Sequence, residues 1–228
     1  PKSELLIANL TDDKTDVSNF PWLTHKEINL CNEKCRVLKV SYAGEKGFEI
    51  HIANNSMSKV YNELIKFGEN YDLVHFGMLA LDSMRLEKNY RSWKSDLTSD
   101  YSILQSGLDR WINFSKESFI GKEALTRESE IGVTKKFVTL VVDDPEDNKA
   151  FGEPVYLSPV FAGDKYLGPV VSSGYGHRVK KSISMAILDD RNLDGLNDQL
   201  HIDVLGRKRK AHIVKKALYD PENNRLRS

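Results

Sequence analysis

From about residue 130 onward, the chain is built of short strand-like runs broken by turn residues. "KKFVTLVVDD", "EPVYLSPVFAGDKYLGPVVSSGYGHR", "ISMAILD" and "DQLHIDVLGRKRKAHIVKK" are separated by Gly, Asp and Asn turns. This spacing predicts a small antiparallel barrel or sandwich over residues 129–228. Residues 1–128 have a different texture. Ser3 to Leu10 carries Leu5, Leu6 and Leu10 at helical spacing. "RVLKVSY" reads as a strand, and Phe48 to Ile52 as its hairpin partner, with Phe48, Ile50 and Ile52 on one face. Asn54, Asn55 and Ser56 open a helix in which Met57, Val60, Tyr61, Leu64 and Ile65 form a stripe, with Gly68 as its stop. A second helix is expected from Gly77 to Lys88, with Met78, Leu81 and Met84 on one side. Short strand-like pieces such as "RWINF" follow, and "FIGKEAL" opens a further helix. The fold class is therefore α+β: an antiparallel sheet with helices, then an all-β part.

The chain has 228 residues, 33 Lys plus Arg and 33 Asp plus Glu. A balanced charge gives no overall attraction to nucleic acid or to an anionic membrane. No apolar run approaches the roughly 20 residues of a membrane-spanning helix, and no signal peptide is visible. "PKSELLIANL" reads as a helix already under way, so an upstream part is expected to be missing. The two cysteines, Cys31 and Cys35, make half a zinc site at most, and no Cys/His pair elsewhere completes it. They read as reduced thiols, and no metal is expected.

Few segments carry chemistry by themselves. "SSGYGHR" has G-x-G without a third glycine and reads as a turn, not a phosphate cradle. No G-x-S-x-G or H-E-x-x-H occurs. "GRKRKAHIVKK" is a basic cluster without interleaved aromatics, so it reads as the solvated face of a hairpin. "DSMRLEKNYRSW" crowds Arg85, Glu87, Lys88 and Arg91 at a helix C-terminus, where cations are favourable on dipole grounds. Glu49 stands between Phe48 and Ile50, and alternates with His51 on the polar face of its strand. The pair is either solvated or a binding site for paired N–H groups.

Five segments in one order carry a resemblance: "SYAGEKGFEIHI", "GMLALDSMRLEKNYRSW", "SGLDRWINFSKESFIGKEAL", "SSGYGHRVKKSISMAIL" and "YDPENNRLRS". Together the chain resembles the folate-binding domain shared by the glycine-cleavage T-protein (aminomethyltransferase) and the dimethylglycine and sarcosine dehydrogenases. "RLEKNYRSW" and the closing segment resemble the dehydrogenase branch more. The resemblance implies part of the T-protein folate-binding fold over 1–128 and a small C-terminal antiparallel β-barrel over 129–228. It implies tetrahydrofolate as cofactor, a methylated or aminomethyl amine as substrate, and 5,10-methylenetetrahydrofolate as product. By resemblance, Glu49 binds the pterin, whose ring N–H and amino group suit a two-point carboxylate acceptor. Tyr42 lines the same site, and Gly44 and Gly47 shape the turn beside it.

A five-residue loop between Tyr42 and Phe48 would place Tyr42 and Glu49 on opposite faces, so a β-bulge is expected there. Leu81 and Gln105 stand where T-proteins tend to have arginine and glutamate. Arg110 replaces a folate-contacting tyrosine of the dehydrogenases, so that role is not carried over. Arg85 and Arg91 are expected to be structural or rim residues, whose charge could also attract an anionic substrate. Family members have well over a hundred residues upstream, including the aspartate that activates the folate amine, and FAD would belong to a parent enzyme only. No catalytic residue is assigned in this chain. A second reading makes it a module completing another polypeptide, with the seam at Pro1 to Leu10. The resemblance implies a cytoplasmic protein, or one of the mitochondrial matrix in a eukaryote.

Overall fold

In the computed structural model, residues 2–11, 17, 20–143, 152–189 and 193–227 are described. The chain divides into two compact units, Pro1–Leu81 with Asp220–Ser228, and Asp82–Tyr219.

The first unit holds a three-stranded antiparallel sheet in the order β1-β2-β3: β1 His25–Leu30, β2 Glu33–Leu38 and β3 Glu49–His51. Helices α1 (Ser3–Leu10) and α2 (Asn54–Gly68) belong to the same unit. Ile28, Leu30, Cys35 and Val37 alternate inward along β1 and β2. They meet Leu6, Ile7 and Leu10 of α1 and Val60 of α2, with Phe48, Ile50 and Ile52 packed against them. Of the stripe expected in this helix, Leu6 and Leu10 are core and Leu5 is exposed. β1 was not expected from the sequence. It turns into β2 through Cys31 and Asn32, both at positive φ (53° and 63°), the conformation of a two-residue hairpin turn. Cys31 thus serves as a turn residue, and burial raises the pKa of the Cys35 thiol. Neither cysteine is in a disulfide.

Helix α2 ends at Gly68 as expected, but the left-handed residue comes later, at Asp72 (φ 59°), after a 3₁₀ turn over Glu69–Tyr71. Glycine suits position 68 because a Cβ there would lie 2.6 Å from Leu73 Cδ1. The expected stripe is only partly buried: Val60 is core, whereas Met57 and Tyr61 are exposed. Helix α3 (Met78–Glu87) departs further, since Met78 is exposed and the buried residues are Arg85, Leu86 and Glu87.

The second unit is a closed barrel of six antiparallel strands, β4-β7-β6-β5-β8-β9, which decides between barrel and sandwich. The strands are β4 Lys135–Val142, β5 Pro159–Ala162, β6 Lys165–Gly176, β7 Lys181–Asp189, β8 Leu200–Val204 and β9 Arg207–Val214. Val138, Leu140, Val160, Val170, Ala186, Leu188 and Ile202 fill one core. Phe137, Val171, Ile183, Met185 and Ile187 alternate with such residues and form a second cluster with Leu86. That both faces are apolar explains the near-continuous hydrophobic runs of β4 and β7. Helix α4 (Lys122–Ile131) opens within "FIGKEAL" as expected. The expected strand at "RWINF" is instead a short 3₁₀ turn, Asp109–Trp111. Two short helices, α5 (Leu193–Leu196) and α6 (Asn224–Arg227), and 3₁₀ turns at Glu69–Tyr71 and Asn197–Gln199 complete the described elements. Among the described residues, no helix is long and apolar enough to cross a membrane.

Candidate functional site: the 39–48 loop and Glu49

β2 pairs with β3 as Arg36↔His51, Val37↔Ile50 and Leu38↔Glu49. The connection is therefore residues 39–48, not the five residues expected, and Tyr42 lies in the loop rather than on a strand. No bulge interrupts this pairing; the register shifts in the fold occur in the barrel, at Val160/Phe161 and Val170/Ser172. The expected conflict between strand faces does not arise, because alternation binds only residues within the ladder. Of the two glycines, only Gly44 has a backbone that demands one (φ 82°), and its N–H donates to the Ser41 hydroxyl at 3.2 Å. A Cβ on Gly47 would make only ordinary contacts.

The loop is tied down at both limbs. Lys39 N–H donates to Thr24 O (3.0 Å), and Leu23 N–H donates to Lys39 O (3.1 Å), extending the β1–β2 ladder. Lys39 Nζ donates to Glu4 Oε1 at 2.7 Å and Lys46 Nζ to Glu4 Oε2 at 2.9 Å. The Ser3 hydroxyl donates to Lys46 O at 3.0 Å. Burial raises the Glu4 pKa, but its hydrogen bonds to the two ammonium groups outweigh this and hold it below the ordinary value.

Ile50 turns into the core, so its neighbours Glu49 and His51 face water. The Glu49 side chain is 56% exposed, and Oε2 lies 3.6 Å from His51 Nε2. Glu49 directly follows the loop that carries the half-buried Tyr42. The groups available are thus an accessible planar acceptor pair at the start of β3 and an aromatic residue in the connection that leads to it. They match in kind a flat heterocycle with adjacent N–H groups.

The second candidate cluster is structural. Arg85 is 2% exposed and Asp96 fully buried. Arg85 Nη1 donates to Asp96 Oδ2 (2.6 Å) and to Tyr90 O (3.1 Å), and Nε to Asp82 Oδ1 (2.6 Å). Asp96 also accepts from Ser92 N–H at 2.7 Å. Arg91 lies over the Phe137 ring at 4.3 Å. Glu87 is buried and its Oε1 accepts from the backbone N–H of Arg178 (2.7 Å) and Val179 (3.1 Å). This accounts for "SSGYGHR". Its glycines belong to the end of β6, not to a turn; a Cβ on Gly176 would lie 2.9 Å from Glu87 Cγ, and one on Gly174 3.0 Å from Leu86 Cδ1. The glycines admit the end of α3, and its carboxylate caps the turn that follows.

In the basic cluster, Lys208, Lys210 and His212 are exposed as expected, but Arg209 is buried. Its guanidinium donates to Asp143 O (2.9 and 3.1 Å) and Gly152 O (3.5 Å). Sequence alternation gave no sign of this, nor of buried His201 stacked on Phe161 at 5.4 Å. Arg110 is exposed over Trp111 (5.0 Å). Among the described residues, no group of three His, Cys, Asp or Glu side chains is placed to hold a metal ion.

The family model for the GCVT N-terminal domain matches residues 1–116, and that for the glycine cleavage T-protein C-terminal barrel domain matches residues 135–220. The chain belongs to the glycine cleavage T-protein family. It is 32% identical over 221 residues to an aminomethyltransferase of Alkaliphilus oremlandii, covering 96% of this chain and 57% of that protein. It is 29% identical to the mitochondrial sarcosine dehydrogenase of Mus musculus, covering 100% of this chain and 25% of the enzyme. For the mitochondrial dimethylglycine dehydrogenase of the same species the identity is 27%, covering 100% and 26%. The crystal structure of the glycine cleavage system aminomethyltransferase T from Bartonella henselae shares the fold at a TM-score of 0.79. That match is 17% identical and covers 96% of this chain and 57% of that one. The chain thus spans just over half the length of these T-protein relatives, and about a quarter of the two dehydrogenases.

Proposed function

We propose that this chain is the C-terminal portion of a tetrahydrofolate-dependent one-carbon transfer enzyme, acting on a methylated or aminomethyl amine. Residues 1–128 belong to its folate-binding part and 129–228 to the barrel. The observation that carries the reading is the water-facing Glu49 carboxylate directly after the loop that holds Tyr42, on a strand whose next residue packs against the core. Glu49 would accept the paired N–H groups of the pterin, and Tyr42 would pack against its ring. Tetrahydrofolate supplies the nucleophilic nitrogen that captures a carbon at the formaldehyde level, giving 5,10-methylenetetrahydrofolate. The chain's own share is orientation: a ring held at two points leaves its reacting edge in one place.

Calorimetric titration with tetrahydrofolate tests this. Saturable binding is expected, weakened about ten- to hundredfold in Glu49→Gln, as for loss of a charged hydrogen-bond acceptor. Equal binding by both proteins would remove Glu49 from the site.

A second reading has its own observation. Val74, Phe76, Met78 and Leu79 are all well exposed, Leu79 at 90%. Large exposed apolar patches mark interaction surfaces. The occupant this suits is polypeptide from the part of the T-protein fold that this chain does not span. In that case the chain is a module that completes an enzyme rather than one that turns over alone.

A further inference from the structure

The Glu4 carboxylate has a role that nothing in the folate reading supplies. It is one acceptor shared between two cations, each oxygen taking one ammonium group. Lys39 directly follows β2, and Lys46 stands three residues before β3, so the pair brackets the 39–48 loop. Side-chain exposures of 6% for Lys39, 16% for Lys46 and 18% for Glu4 set this cluster apart from an ordinary surface pair. Partial burial raises its strength, and loss of the anion would leave two ammonium groups facing each other out of water.

From this geometry we infer that Glu4 is a positioning residue for the folate loop. It ties both limbs of the loop to the first turn of α1, and so fixes the conformation of the connection that carries Tyr42 and leads into Glu49. The inference rests on the folate reading for what the loop binds, but not for how the loop is held. Helix α1 is well placed for the task, since Leu6, Ile7 and Leu10 root it in the core while Glu4 reaches the loop. Ser3 adds a neutral bond to Lys46 O, which steers the far limb without the charge.

The test uses the full chain with Glu4→Gln, Glu4→Asp and Lys46→Gln, read by hydrogen–deuterium exchange at amides 40–48 and by titration with tetrahydrofolate. Glu4→Gln is expected to speed exchange in the loop about tenfold, with α2 amides unchanged, and to weaken tetrahydrofolate binding. Glu4→Asp should restore part of both, because the charge returns. Unchanged loop exchange in Glu4→Gln, or faster exchange spread evenly over the first unit, would overturn the inference. If Glu4→Gln does not fold, Lys46→Gln decides by the same loop readout, since it frees only one limb. If the unaltered chain binds no tetrahydrofolate, the folate reading falls, and the exchange measurement alone decides the clamp.

Discussion

Asp96 is fully buried, and its carboxylate accepts from the Arg85 guanidinium, the Ser92 backbone N–H and, at 3.5 Å, the Ser95 hydroxyl. Replacing a single member of such a pair leaves an uncompensated charge in the interior, a cost of about 3–5 kcal/mol. Asp96→Ala should therefore lower the urea midpoint sharply, while the exposed neighbour change Lys94→Ala should leave it almost unmoved. Glu4 gives a pH dependence of definite sign. Its native pKa lies below its ordinary value of 4.5. A carboxyl with a depressed native pKa stabilises the fold fully above its unfolded pKa, and this contribution is lost as pH falls through the native pKa. Acid titration followed by near-ultraviolet circular dichroism should show a loss of stability below about pH 4.5 that is smaller in Glu4→Gln.

At the scale of the element, close approaches decide which positions tolerate change. A Cβ on Gly168 would lie 2.1 Å from the backbone oxygen of Ile187 on the neighbouring strand β7. Only movement of the ladder could relieve that contact. Gly168→Ala is expected to destabilise the chain by about 3 kcal/mol or more, whereas Gly163→Ala, with open space around its Cβ, should cost less despite its positive φ. Thermal unfolding of the two variants makes the comparison.

The barrel strands were legible because their runs are long, apolar and bounded by turns. So was α1, whose stripe is continuous. The β1–β2 hairpin was not, because Cys31–Asn32 is not a dipeptide that announces a tight turn. The site was half legible. Glu49 and Ile50 alternate as a strand should. But the 39–48 loop is tied by the Glu4–Lys39–Lys46 cluster, which joins positions dozens of residues apart and leaves no local pattern. Gly174 and Gly176 misled for a similar reason, since the contact that requires them comes from α3.

For the whole molecule, zero formal net charge and an exposed apolar run over residues 73–79 act in the same direction. A protein without net charge has little repulsion to oppose association, and an uncovered patch supplies the attraction. Tyr61 stacks on His75 at 6.1 Å, so the exposed face of α2 adjoins the run, and Met57 extends its apolar surface. Because Val74 and Leu79 are 76% and 90% exposed, they contribute little to the core of the chain itself. Val74→Ser with Leu79→Ser should thus shift stability by no more than about 0.5 kcal/mol. The same double change should reduce the fluorescence of an added anilinonaphthalene dye severalfold and abolish capture of a polypeptide carrying the rest of the T-protein fold. If dye binding and capture both persist, the run is not the docking surface, and the second reading loses the observation that favours it.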